Sequence, residues 1–272
     1  MNQINVYYRH SGAIGLMGPV YMIIFGTVGT LVLGIIYGYA IFYIPYIAHN
    51  FLITLGFGAL VGFIVGNGGK LGKVRNPRLL LLFGFLFGLF AEYTGWVSWI
   101  FAFSKQQTLV LFPSDVLSVV EIVAEKGSWW DIFGWTPKGT ALYVIWVIEA
   151  TMIIGTSTLF SWAILISTPF CERCNCWVEK KNSILPLEPI TNPDEFKSQL
   201  EQADYTSLKT LQKVGSGSNP YTQIDLLRCP ICQLLYLLTI KSVTVGVEKQ
   251  ESDIIENIII NSEIYEMIQN QG

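Results

Sequence analysis

Charge is scarce in this chain. Asp, Glu, Lys and Arg make up 14% of the 272 residues, whereas a soluble domain carries nearer a quarter. Histidine is scarcer still. His10 and His49 are the two present, and both are expected near membrane boundaries, which leaves little for a histidine-based active site. Five cysteines are too few for a disulfide-stapled secreted scaffold. The first apolar run is too long for the core of a signal peptide and no A-x-A-like site follows it, so no cleavable leader is expected. A nucleotide loop is also missing. That loop needs Gly-x-x-x-x-Gly-Lys-Ser/Thr, but Gly72-Lys73 is followed by Val74, and Asn67 stands where the first glycine should.

The charge deficit is local. From Pro169 onward there are nine Lys or Arg against fourteen Asp or Glu, a net of −5. An acidic tail repels phosphate backbones, so nucleic acid is not an expected partner. The long apolar runs lie before it, at Met17–Ile44, Tyr46–Gly66, Leu79–Phe103 and Ala141–Ser167. Each reaches the roughly 20 residues needed to cross a bilayer. Pro45 separates the first two and predicts a tight hairpin. The segment Asn67–Arg78 carries Lys70, Lys73, Arg75 and Arg78 and no acid. By the positive-inside rule it faces the cytoplasm, where these residues meet lipid headgroups. Alternation then puts both termini in the cytoplasm and residues 104–140 outside.

That outer segment predicts a helix capped by Ser114 and stopped by Gly127, with Val116, Val119, Val120 and Val123 on one face. Trp96, Trp99, Trp129, Trp130 and Trp135 predict an interfacial aromatic belt. Small residues four apart, such as Gly34/Gly38, Gly58/Gly62/Gly66 and Gly84/Gly88, let helix backbones approach closely. They serve packing within one bundle or, alternatively, a homodimer. Glu92 and Glu149 lie inside the third and fourth runs, which hold no Lys or Arg to pair with them. Buried carboxyls of this kind face the bundle and either fix helix register or mark a proton or cation path. Tyr37, Tyr39, Tyr93, Thr94, Thr151, Thr156 and Ser157 are the available hydrogen-bond partners.

The tail opens with Cys171-Glu-Arg-Cys174-Asn-Cys176, and Cys229-Pro-Ile-Cys232 follows, with 54 residues between Cys174 and Cys229. Two Cys-x-x-Cys turns offer four thiolates to one ion in a closed tetrahedral site, so the expected role is structural. Softness and geometry favour zinc, with iron the competitor. Cys176 is a spare or an alternative fourth ligand. A reducing cytoplasm disfavours disulfides, and strand-like sequence after Cys232 disfavours a redox motif. The arrangement resembles a zinc ribbon, though neither knuckle has a trailing glycine. A helical insertion at about 193–214 fills the gap. Leu234–Ile240, Ser242–Val247 and Ile254–Ile260 predict strands, and Ser262 predicts the cap of a last helix.

The chain also resembles uncharacterised bacterial polytopic membrane proteins whose last span runs into Pro-Phe-Cys-Glu-x-Cys, here Pro169–Cys174. The resemblance implies a bacterial inner membrane and brings no activity. The expected fold is an α-helical membrane bundle of four transmembrane helices over 1–168, followed by a small α+β zinc-ribbon-like domain over 169–272. The expected role is a non-enzymatic anchor or adaptor presenting a cytoplasmic structural zinc site to a protein partner. The alternative is a small proton- or cation-coupled transporter or channel using Glu92 and Glu149.

Overall fold

The computed structural model describes residues 7–44, 46–127, 135–178, 180–215, 218–246 and 248–271. These form eight helices and six strands, and the chain divides into two units. One unit spans Ser11–Ser167. The other takes in Thr168–Gly272 and, at the far end of the sequence, the described residues Tyr7, Tyr8, Arg9 and His10. Pro45, Trp129 and Trp130 lie outside the described residues.

The first unit contains α1 (Gly18–Tyr43), α2 (Ile47–Leu71), α3 (Pro77–Phe103), α4 (Pro113–Lys126) and α5 (Thr140–Ile166). All but α4 are long and apolar enough to cross a membrane. Helix α1 packs on α2 and α3, and α5 packs on the same two helices. Glycine permits this contact. A Cβ at Gly38 would come within 2.6 Å of the Trp99 nitrogen, one at Gly62 within 2.3 Å of the Ser157 carbonyl oxygen, and one at Gly88 within 2.8 Å of the Ile154 Cα. The small-residue pairs are therefore occupied inside the bundle. Ser157 and Ser161 on α5 add hydrogen bonds to the carbonyls of Gly84 (2.9 Å) and Leu80 (3.1 Å) on α3.

Three local readings need correction. Helix α2 continues past Gly66 to Leu71. The glycines there pack against α1 and Leu80 of α3, so they extend the helix contact, and the loop proper begins at Gly72. Ser114 is not the cap of α4. Pro113 already starts that helix, and the Ser114 hydroxyl lies 3.2 Å from Asp115 Oδ1. Gly127 does end it, at φ 101°. Trp96 and Trp99 do not join an outer belt. Trp99 is 4% exposed, and Trp96 stacks edge-on to Trp146 at 5.0 Å.

The second unit holds a hairpin of β1 (Phe170–Cys171) and β2 (Cys176–Trp177). Its main sheet is an antiparallel meander of β3 (Lys180–Leu187), β4 (Tyr221–Arg228), β5 (Tyr236–Val245) and β6 (Lys249–Ile260). Helices α6 (Pro193–Glu201), α7 (Thr206–Thr210) and α8 (Ser262–Gln271) supply Phe196, Leu200, Leu208, Ile264, Tyr265 and Ile268 to a core with Ile224, Leu226, Leu238 and Ile240. Strand alternation turns their neighbours Leu227 and Leu237 to the other face, where they join Val178 and the cysteines.

The insertion is thus a strand and two short helices instead of one helix over 193–214. Ala203 turns left-handed at φ 62°, and the Asp204 carboxylate takes the Thr206 N–H at 3.0 Å. Strand β5 runs through the break expected at Lys241, because that ammonium is held by Glu251 (3.1 Å) and Asp253 (3.6 Å) on β6. Asn261, and not Ser262, caps α8, its side-chain oxygen accepting the Ile264 N–H at 2.9 Å. The Tyr8 N–H donates to Asn257 at 2.9 Å and Tyr7 bridges Ile258, so the N-terminal segment covers part of the outer edge of β6.

Candidate metal centre and bundle carboxylates

The tail cysteines come from two hairpin turns. Cys171 and Cys174 sit in the turn of β1–β2, and Cys229 and Cys232 sit between β4 and β5. The residue after each second cysteine is left-handed: Asn175 has φ 52° and Gln233 φ 53°. The conformation expected of a trailing glycine is present without the glycine. It wraps each turn so that backbone N–H groups reach the first sulfur, from Cys174 to Cys171 and from Ile231 and Cys232 to Cys229.

The Sγ atoms of Cys171, Cys174, Cys229 and Cys232 all lie within 4.8 Å of one another, and Cys171 to Cys232 is 3.7 Å. A tetrahedron with Zn–S bonds of about 2.3 Å has edges of about 3.8 Å. The four sulfurs could therefore hold one metal ion with little movement. All five cysteines are free thiols. Cys176 is the cross-strand partner of Cys171, and its Sγ lies 3.8 Å from that of Cys229. The hairpin register explains why the fifth cysteine stands beside the cluster.

Electrostatics among the thiols are lopsided. Burial opposes ionisation of Cys229, but the N–H groups of Cys232 and Ile231 overcome it and hold its thiol down to about 6. Burial raises Cys171. Hydrogen bonding to Cys232 pushes Cys174 up to about 12, and burial followed by contact with Cys229 pushes Cys176 up to about 11. Four adjacent sulfurs cannot all ionise alone, and a central divalent cation removes that obstacle.

Tyr8 supports the first turn. Its hydroxyl accepts the Phe170 N–H at 2.8 Å and lies 3.2 Å from the Phe170 carbonyl. Nothing in the sequence spacing pointed to this tyrosine. Phe170 and Trp177 close the hairpin with an edge-on contact at 4.8 Å.

In the helical unit, Glu92 and Glu149 line one cavity with Tyr37, Asn50, Phe51, Thr54, Trp96, Trp99 and Trp146. The Tyr37 hydroxyl donates to Glu149 and lies 3.1 Å from Thr54 Oγ1. Glu92 accepts from Trp96 Nε1 at 2.9 Å. Tyr37 was among the expected partners. Trp96 was not, and Tyr93 bonds the Leu111 carbonyl instead.

The basic residues are dispersed. Lys70 belongs to the last turn of α2, Lys73 is left-handed at φ 56°, and Arg78 follows the first residue of α3. The Arg75 backbone pairs with Ala13, N–H to carbonyl at 2.8 Å. Of the four, Arg78 is exposed and the others are half-buried.

No family model, curated protein or solved structure matches this chain.

Proposed function

We propose that this is a multi-pass membrane protein whose cytoplasmic tail is a zinc-ribbon-like module, folded around one structural zinc ion and offered to a protein partner. The observation that carries it is the convergence of four cysteine sulfurs within 4.8 Å from two turns of matching backbone form. Four thiolates around one zinc leave no coordination position for water, so the ion stabilises fold and does no chemistry. The residues at hand favour an anchor or adaptor over an enzyme.

The basic segment at Lys70, Lys73, Arg75 and Arg78 supports an inner-membrane orientation with both termini in the cytoplasm. Four crossings return a chain to the side where it began. The bonds of Tyr8 to Phe170 and Asn257 support the same reading. The test is metal analysis of the full chain purified from membranes under reducing conditions. One zinc per chain, lost on Cys171→Ser or Cys232→Ser, supports the reading. Metal-free protein whose tail is nonetheless folded would overturn it. The partner is sought by cross-linking in membranes, as a neighbour captured by wild type and lost with Cys232→Ser.

A second reading, proton or cation movement through the bundle, is favoured by the shared cavity of Glu92 and Glu149. Replacement of both by Gln should abolish flux in proteoliposomes. Flux that survives removes this reading.

A further inference from the structure

The cavity in the helical unit is built by all four long helices. Tyr37 and Ile41 come from α1, and Asn50, Phe51 and Thr54 from α2. Glu92, Gly95, Trp96 and Trp99 come from α3, and Ile145, Trp146 and Glu149 from α5. Its free interior is about 60 Å³ behind a half-open mouth, which limits any occupant to a small molecule.

Its strongest polar groups are acceptors of one kind. Two carboxyl groups face it, and the buried side-chain oxygen of Asn50 has no hydrogen-bond partner. Among the lining donors, Trp96 Nε1 and the Tyr37 hydroxyl are directed at the carboxyls. No Lys or Arg occurs between residues 79 and 103 or between 139 and 166. The countercharge for an ionised pair must therefore come from outside these helices.

The walls select among cations. Phe51, Trp96, Trp99 and Trp146 give the cavity an aromatic lining. A hydrated metal ion gains little from it, but an alkylated ammonium gains both cation–π attraction and apolar burial.

We propose that this cavity is a binding site for a small organic cation, an ammonium group carrying apolar substituents, held between Glu92 and Glu149 and walled by Trp96, Trp99 and Trp146. The site stands independently of the metal reading of the tail and requires no transport.

The test uses the full chain in detergent or nanodiscs, followed by tryptophan fluorescence and calorimetry. Choline is the cationic probe. Its uncharged isostere 3,3-dimethylbutan-1-ol is the shape control, and sodium and calcium chloride at matched ionic strength are the ion controls. Choline is expected to bind saturably, with the isostere weaker by roughly tenfold or more, as loss of one charge-assisted or cation–π contact requires. Glu92→Gln and Glu149→Gln should each weaken choline by a similar factor, and Glu121→Gln, at an exposed position on α4, should not. Ile145→Trp fills the cavity without altering charge and should block binding in a protein that elutes and melts like wild type, which covers the case of a Glu variant that does not fold. Equal binding of choline and the isostere, saturation by sodium or calcium alone, or no saturable response to choline would each overturn the proposal.

Discussion

Asn175 and Gln233 hold matching places in two separate hairpins, each directly after the second cysteine of its pair and each left-handed, at φ 52° and 53°. This backbone state costs a non-glycine residue roughly 1–2 kcal/mol. Both turns keep it, and it brings N–H groups onto the sulfurs of Cys171 and Cys229. A β-branched residue tolerates it least. Gln233→Val is expected to destabilise the tail by about 1–2 kcal/mol and to speed metal transfer to a chelator. Gln233→Gly is expected to slow it. Equal transfer rates in the two variants would refute the role assigned to this turn.

Tyr8→Phe removes the hydroxyl that bonds the Phe170 backbone on both sides. The expected loss is about 1 kcal/mol. Hydrogen exchange at the Phe170 amide should then accelerate roughly fivefold if the loss is expressed locally, with β5 amides unaffected.

Gly62 and Gly155 make a paired test of the bundle. A Cβ at Gly62 would lie 2.3 Å from a backbone oxygen of α5, whereas nothing lies within 4 Å of one at Gly155. Gly62→Ala should lower the thermal midpoint in detergent, at a cost of about 1–3 kcal/mol. Gly155→Ala should leave it unchanged or raise it by the helix propensity gained, up to about 1 kcal/mol.

Glu251 gives the sheet a pH dependence. Hydrogen bonds from Lys249 and then Lys241 hold its carboxyl down to about 2, from an ordinary value of 4.5. A depressed carboxyl contributes stability above its unfolded pKa and loses it as pH falls through the folded one. The difference in melting between wild type and Glu251→Gln should therefore be full at pH 6 and shrink from about pH 5 down toward pH 2. It should also shrink in high salt, because these side chains are partly exposed.

Much of this was legible in the residues. Length and apolarity alone found the four long helices, to within a few residues at all but one end. The exception was the end of α2, where the glycines beyond the apolar run are packing surface. The cysteine spacing found the cluster, because two paired thiols per turn leave few geometries. Trp96 and Trp99 were misassigned on their closeness to a helix end. The contrary signal was present: Trp96 is four residues and Trp99 seven residues after Glu92, so all three share one helical face. Strand β3 was hidden because Lys180-Lys-Asn-Ser and Pro186 have weak strand propensity, and an edge position tolerates them. No sequence rule marks Gln233 as left-handed, and the hairpin alone imposes it.

The seating of Tyr7 and Tyr8 against β6, and of Tyr8 on Phe170, sets an order of events during synthesis. Tyr7 and Tyr8 complete a sheet whose last strand is made long after them. At about 5–20 residues per second, the roughly 250 residues between Tyr8 and Ile258 take on the order of 10–50 s to appear. Through that interval the N-terminal segment has no place to dock and the β6 edge does not yet exist. Closure of the cysteine-bearing unit consequently waits for β6, and a chain broken off before Lys249 would leave Tyr7 and Tyr8 without a seat.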